Sequence, residues 1–167
     1  SSAMRSRGLL MRAMAIINIP LEEFYWRDVL PTDAVTLRSV HTGTWNEDLT
    51  YQVTYKTNLS QDARVLADGL HTNVNERLDC SAEALGLKPG EVITEFQFEF
   101  GTVQPGFAPV TAPYIHCLVN PDLPNEYRFR NCTDVGGKRG DQWVIDKDCW
   151  VSVVYAVPKG KLPKTGK

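Results

Sequence analysis

The sequence has no run of about 18 or more apolar residues, so no helix of it is expected to span a membrane. Charge of one sign is also missing. Lys plus Arg is 18 and Asp plus Glu is 20, a net charge of -2. A general nucleic-acid binder carries a basic stripe, so nucleic acid is not an expected partner. There are three histidines, His41, His71 and His116, and no two stand at i, i+4. Gly-x-Ser-x-Gly, Walker and His-Glu-x-x-His patterns are all absent. No enzyme activity, cofactor or metal is therefore expected.

Cysteine is scarce. Cys80, Cys117, Cys132 and Cys149 are separated by 37, 15 and 17 residues, with no Cys-x-x-Cys pair. That excludes a zinc ribbon or thioredoxin-like site. An oxidised extracellular chain and four buried thiols stay open as alternatives. Disorder is excluded by 43% apolar and 23% charged residues in 167. A chain of this length is one domain by default.

Short alternating runs fill the body. Val35 to Ser39 has the period of a half-buried strand, and Val40 falls out of phase, so the strand is expected to end or bulge there. Leu49, Tyr51, Val53 and Tyr55 share one face of the run to Thr57. A polar turn, Thr42 to Asp48, joins the two runs and suggests a hairpin. In Glu91 to Phe100, Phe96, Phe98 and Phe100 fall on one face, with Glu95, Gln97 and Glu99 on the other. Later strands are expected at 114–120, 127–135, 142–145 and 149–157. Pro121 to Asn125, Gly136-Gly137 and Asp146 to Asp148 are read as the turns between them. Helix signals are brief: Ser81 caps a connector of about two turns, and Gln61 to Ala67 is a weaker case. The pattern describes an all-β protein, an antiparallel β-sandwich or small barrel with a short connector helix.

Several candidates carry chemistry. Asp134, Asp141, Asp146 and Asp148 lie close in sequence, without EF-hand spacing, and read as solvated turn aspartates. Trp26, Trp45, Trp143 and Trp150 are the aromatics a carbohydrate-binding, lectin-like domain would use. The segment from Met4 to Ile17 is mildly apolar, but Arg12 interrupts it, so it is a poor signal-peptide core. Ser1 to Ala3 reads as an expression scar, and the chain as an excised fragment.

The sharpest motif is Leu162-Pro163-Lys164-Thr165-Gly166. It matches the Leu-Pro-x-Thr-Gly sorting signal of Gram-positive surface proteins. Pro163 bends the chain into a cleft. Thr165 supplies the carbonyl attacked by the sortase thiolate. A sorting signal continues into an apolar stretch and a basic tail, whereas this chain stops at Lys167. The expectation is that the fragment was cut there, with an added tag or a chance match as the alternatives. Residues 158–167, rich in Lys, Pro and Gly, are expected to be a flexible wall-proximal linker.

The body carries a matching resemblance. Pro20 to Pro31 resembles the opening of a repeat domain in surface proteins of clostridia and related Firmicutes. Thr42 to Asn46, Thr50 to Leu59, Ser81 to Leu87, Val92 to Phe96, Gly101 to Val103 and Asp134 to Gly137 extend it across residues 20–157. Such proteins are similar to conserved-repeat and collagen-adhesin-like wall proteins. The resemblance implies an immunoglobulin-like β-sandwich module, with residues 1–19 as an extension supplying a first strand. It implies a non-enzymatic stalk or adhesin on the cell wall. Its partners would be sortase and peptidoglycan, with a host matrix protein or glycan as ligand, and a membrane would be met only through a segment this chain lacks. Some modules of that class hold a self-made amide, for which Lys56 and Asn131 qualify by residue type. In the same class other crosslinks replace disulfides, which favours free thiols here. If a bond forms, Cys132–Cys149 is the expected pair, since both flank the Gly-rich segment.

Overall fold

The structure, a computed structural model, describes residues 2–5 and 18–154, without the side chains of 2–5, 150 and 152–154. Among the described residues, twelve strands and one helical turn follow in chain order: β1 Ser2–Arg5, β2 Leu21–Val29, β3 Val35–His41, β4 Thr44–Trp45, β5 Thr50–Thr57, β6 Ser60–His71, β7 Arg77–Asp79, α1 Ala82–Leu85, β8 Ile93–Val103, β9 Pro109–Thr111, β10 Tyr114–Val119, β11 Tyr127–Arg139 and β12 Gln142–Val154. One sheet has the order β12-β11-β2-β8-β5-β6 and the other β1-β10-β3-β7, with β4 and β9 forming a small ribbon. Their pairings are antiparallel. The fold is an all-β, immunoglobulin-like antiparallel β-sandwich with a short connector helix.

The alternating stripes make the core. Phe96, Phe98 and Phe100 of β8 are buried, as are Tyr51, Val53 and Tyr55 of β5, while Leu49 is half-buried. β8 lies between β2 and β5, so its phenylalanines meet Trp26 and Tyr51. The Trp26 and Phe98 centroids stand 4.6 Å apart in an edge-on arrangement. Such a pair contributes about 0.5–1.5 kcal/mol beyond area burial. Trp45 stacks on Phe107 at 5.0 Å and joins the same cluster. The smaller sheet closes the core with Val35, Leu37, Val40, Ile115 and Cys117.

The strand does not end at Val40, which pairs with Ile115, and the bulge falls just before it, at Arg38. The β10–β3 register shifts between His116 and Cys117, which moves Val40 to the buried side beside Ser39.

Four expectations are corrected. The runs 35–41 and 50–57 do not form a hairpin: β3 pairs with β10 and β7, and β5 with β6 and β8. Each stripe faces the other across the core, so the link between them changes sheets. Gln61 to Ala67 is not helical but lies in β6, where the two-residue turn Asn58-Leu59 folds it back on β5. Ladder pairing outweighs its modest helix propensity. Gly136-Gly137 and Asp146 to Asp148 are not turns. β11 and β12 run unbroken past them with thirteen residues each, and the hairpin turns at Gly140-Asp141. A Cβ on Gly137 would sit 2.8 Å from the Leu21 Cβ, so glycine is needed there for close packing. The connector is one turn, with the Ser81 hydroxyl accepting from the Ala84 N–H and Gly86 ending it at φ 64°.

Candidate functional site

The outer face of the six-stranded sheet gathers the chemistry. On β2, Tyr25 and Arg27 point outward because Phe24, Trp26 and Asp28 point in. On β11, Asp134 lies opposite Arg27. The Arg27 guanidinium donates to both Asp134 oxygens, at 3.0 and 2.8 Å, and the Tyr25 hydroxyl donates to Oδ2 at 2.7 Å. Burial, then the hydrogen bond to Asp134, pushes the Tyr25 pKa well above its ordinary value. The bond to Asp134 raises that of Arg27, against the opposing effect of burial. The pair is a bidentate, charge-assisted contact that fixes the first wall.

Trp143 of β12 meets Tyr25 across Gly136 of β11. A Cβ on Gly136 would come within 3.0 Å of the Tyr25 ring and of Ile145. With no side chain there, the Trp143 and Tyr25 centroids approach to 6.0 Å at 67°. The Lys138 ammonium lies 5.4 Å from the Trp143 centroid and 3.2 Å from Glu23. Trp143 still keeps 47% of its surface exposed.

β8 and β5 supply the floor. Glu99 accepts from Gln52 Nε2 at 2.8 Å, Thr54 Oγ1 at 2.9 Å and Gln97 Nε2 at 3.2 Å. These neighbours follow from the register, which sets Gln52 opposite Glu99 and Thr54 opposite Gln97. Walls and floor enclose a groove of about 490 Å³ lined by Glu23, Tyr25, Gln52, Gln97, Glu99 and Trp143. A lobe of about 290 Å³ continues it past Arg27 and Ile145. A separate hollow of about 490 Å³ on the other side of the molecule is lined by Leu37, Cys80, Leu87, Ile93 and Leu118.

The structure separates most of the residues the sequence singled out. Trp26 and Trp45 are core residues, the Trp150 side chain lies outside the description, and Trp143 alone of the described tryptophans is exposed. Lys56 and Asn131 are not brought together. Lys56 lies opposite Glu95 on the outer face, Asn131 is buried between the sheets, and β8 and β2 run between their strands. Strand alternation puts the two on opposite faces. Asn131 instead donates to Asp28 Oδ2 at 3.2 Å.

Free thiols are not the rule here either. Cys132 and Cys149 face each other in the β11–β12 register and form a disulfide, whereas Cys80 and Cys117 are free and buried. Leu162 to Gly166 lies outside the described residues, as do residues 6–17. Asp134 is no solvated turn residue: it is buried under Arg27, and Asp146 and Asp148 are strand positions of β12. Among the described residues no group of three or more His, Cys, Asp and Glu could hold a metal ion.

Two features escaped the sequence. β3–β10 pairing stacks His41 on Tyr114 at 4.2 Å with His116 at 4.9 Å, and burial lowers the His41 pKa. The Glu99 hub joins β5 and β8 over more than 40 residues of chain. Its only local trace is the polar alternation of Gln97 and Glu99. No family model, curated protein or solved structure matches this chain.

Proposed function

We propose that this chain is a non-enzymatic surface module of stalk or adhesin type. It is displayed on a Gram-positive cell wall through Leu162 to Gly166, with sortase and peptidoglycan as its partners. The pentapeptide carries the proposal. The architecture supports it. β12 is the last described strand before the motif and pairs with β11 over thirteen residues. The Cys132–Cys149 bond ties the two strands covalently, so tension applied from the wall side meets a long ladder and a crosslink.

Incubation with a class A-type sortase and oligoglycine tests this. Cleavage is expected between Thr165 and Gly166, giving a product joined to glycine at Thr165. Thr165→Ala and Pro163→Ala should slow it sharply, and Lys164→Ala should not. Absence of transpeptidation by mass spectrometry, with the tail open to a protease, would overturn wall display.

A second reading, a carbohydrate-binding extracellular domain, is favoured by one observation: the exposed Trp143 ring beside a polar groove.

A further inference from the structure

The geometry points to the groove on the outer face of the six-stranded sheet as a binding site for neutral oligosaccharides, with Trp143 as its stacking wall and Gln52, Gln97 and Glu99 as its hydroxyl-reading floor. The inference does not rest on wall display; it assigns a site that a stalk would not need.

A sheet face turned to water need only be polar. This one is also organised. Glu99 is held by three neutral donors, so its carboxylate and both glutamine carboxamides have fixed positions before any ligand arrives. Ordering three flexible side chains in advance reduces the entropy a ligand would otherwise lose on binding. No hydrogen bond among the described residues takes up the carboxamide oxygens of Gln52 and Gln97. The floor therefore offers open acceptors beside the Glu99 carboxylate to a hydroxyl donor. Beside it stands Trp143, an indole left 47% exposed with Tyr25 against it and the Lys138 ammonium 5.4 Å from its centroid. Aromatic surface left open beside a few placed polar groups is the make-up of a small-molecule site.

A half-exposed indole beside open acceptor groups fits a molecule with an apolar face and a hydroxyl rim. A pyranose ring has that form. Its axial C–H face stacks on indole, and its equatorial hydroxyls donate to carboxylate and carboxamide. The volume also suits a small ligand, for which sites run from roughly 300 to 1,000 Å³.

Charge selects among sugars. The Arg27 guanidinium is taken by Asp134, and Lys138 is matched by Glu23. Glu99 has no cation among its hydrogen-bond partners. The groove is thus acidic on balance and repels uronates, sialosides and sulfated chains. A nucleotide is disfavoured for the same reason. A peptide strand finds no partner either, because the backbone groups under the groove are used in the β2–β8 and β8–β5 ladders.

The test is an array of neutral gluco-, manno-, galacto- and N-acetylhexosamine oligosaccharides beside acidic ones, with calorimetric titration of the strongest neutral binder. Binding to neutral oligosaccharides alone is expected. Trp143→Ala and Gln97→Ala should each weaken it tenfold or more while circular dichroism shows both proteins folded. Trp143→Phe should restore part of it, and Leu118→Ala, on the other sheet, should leave it intact. Three outcomes would overturn the inference: no neutral oligosaccharide bound at millimolar concentration, preference for acidic glycans, or folded Trp143→Ala and Gln97→Ala proteins that bind as the parent does. Sortase transpeptidation measured on the Trp143→Ala protein should be unaffected, so failure of one proposal is separable from failure of the other.

Discussion

Asp28 shows how much a single buried carboxyl can set. It points between the sheets with 2% exposure, and among the described residues its Oδ1, Asn131 Oδ1 and Thr133 Oγ1 have no hydrogen-bond partner. Burial pushes its pKa up to about 7, with Asp134 adding to the rise and the Asn131 hydrogen bond opposing it. A folded-state pKa above the unfolded one means that folding favours the protonated acid. The charge therefore penalises the fold progressively as pH rises from about 4 to about 7, and fully above that. Asp28→Asn should raise the melting temperature at pH 8, where the gain is of the order of a few kcal/mol, and change it little at pH 4. Thermal melts of both proteins from pH 4 to 8 check this; a variant less stable than its parent at pH 8 would contradict it. The residue was not legible in the sequence. Aspartate two positions after Trp26 and shortly before Pro31 reads as the start of a turn, because polarity normally marks exposure.

For single elements, the β11–β12 hairpin is the most informative. Gly136 and Gly137 serve close approach: one opens the trough that lets Trp143 reach Tyr25, and the other lets β11 lie against Leu21 and Phe24. Gly137→Ala should cost about 1–3 kcal/mol, the usual penalty for overpacking a filled core. Urea unfolding of the two proteins measures it, and an unchanged midpoint would show that Leu21 yields without strain. The glycine pair looked like turn punctuation because local sequence cannot distinguish a glycine needed for φ from one needed for space. β6 taught a similar lesson. Its composition permits a helix, and only the ladder with β5 makes it a strand.

In the whole molecule, the cysteines divide by location. Cys132 and Cys149 are joined on the outer face, while Cys80 and Cys117 are sealed in the core with pKa values pushed up to about 12, chiefly by burial. Thiol titration should find almost none reactive in the native protein and two after denaturation without reductant. Four would exclude the bond in the sample. Reduction should lower stability by about 3 kcal/mol, as expected for opening a loop of roughly 15 residues.

What the sequence by itself determined is local and periodic. The alternation of Tyr51 to Tyr55 and Phe96 to Phe100 set which faces are buried, and Ser81 and Gly86 set where the connector's helical turn begins and ends. These follow from a repeat of two and from capping chemistry, which a few neighbouring residues contain. Tertiary structure alone decided which sheet each strand joins and that a disulfide forms at all, between the pair Cys132 and Cys149 that the sequence offered. It also decided that Trp143, Tyr25, Gln52, Gln97 and Glu99 share one groove. Those residues come from four strands, β2, β5, β8 and β12, and only long-range ladder registers bring them side by side.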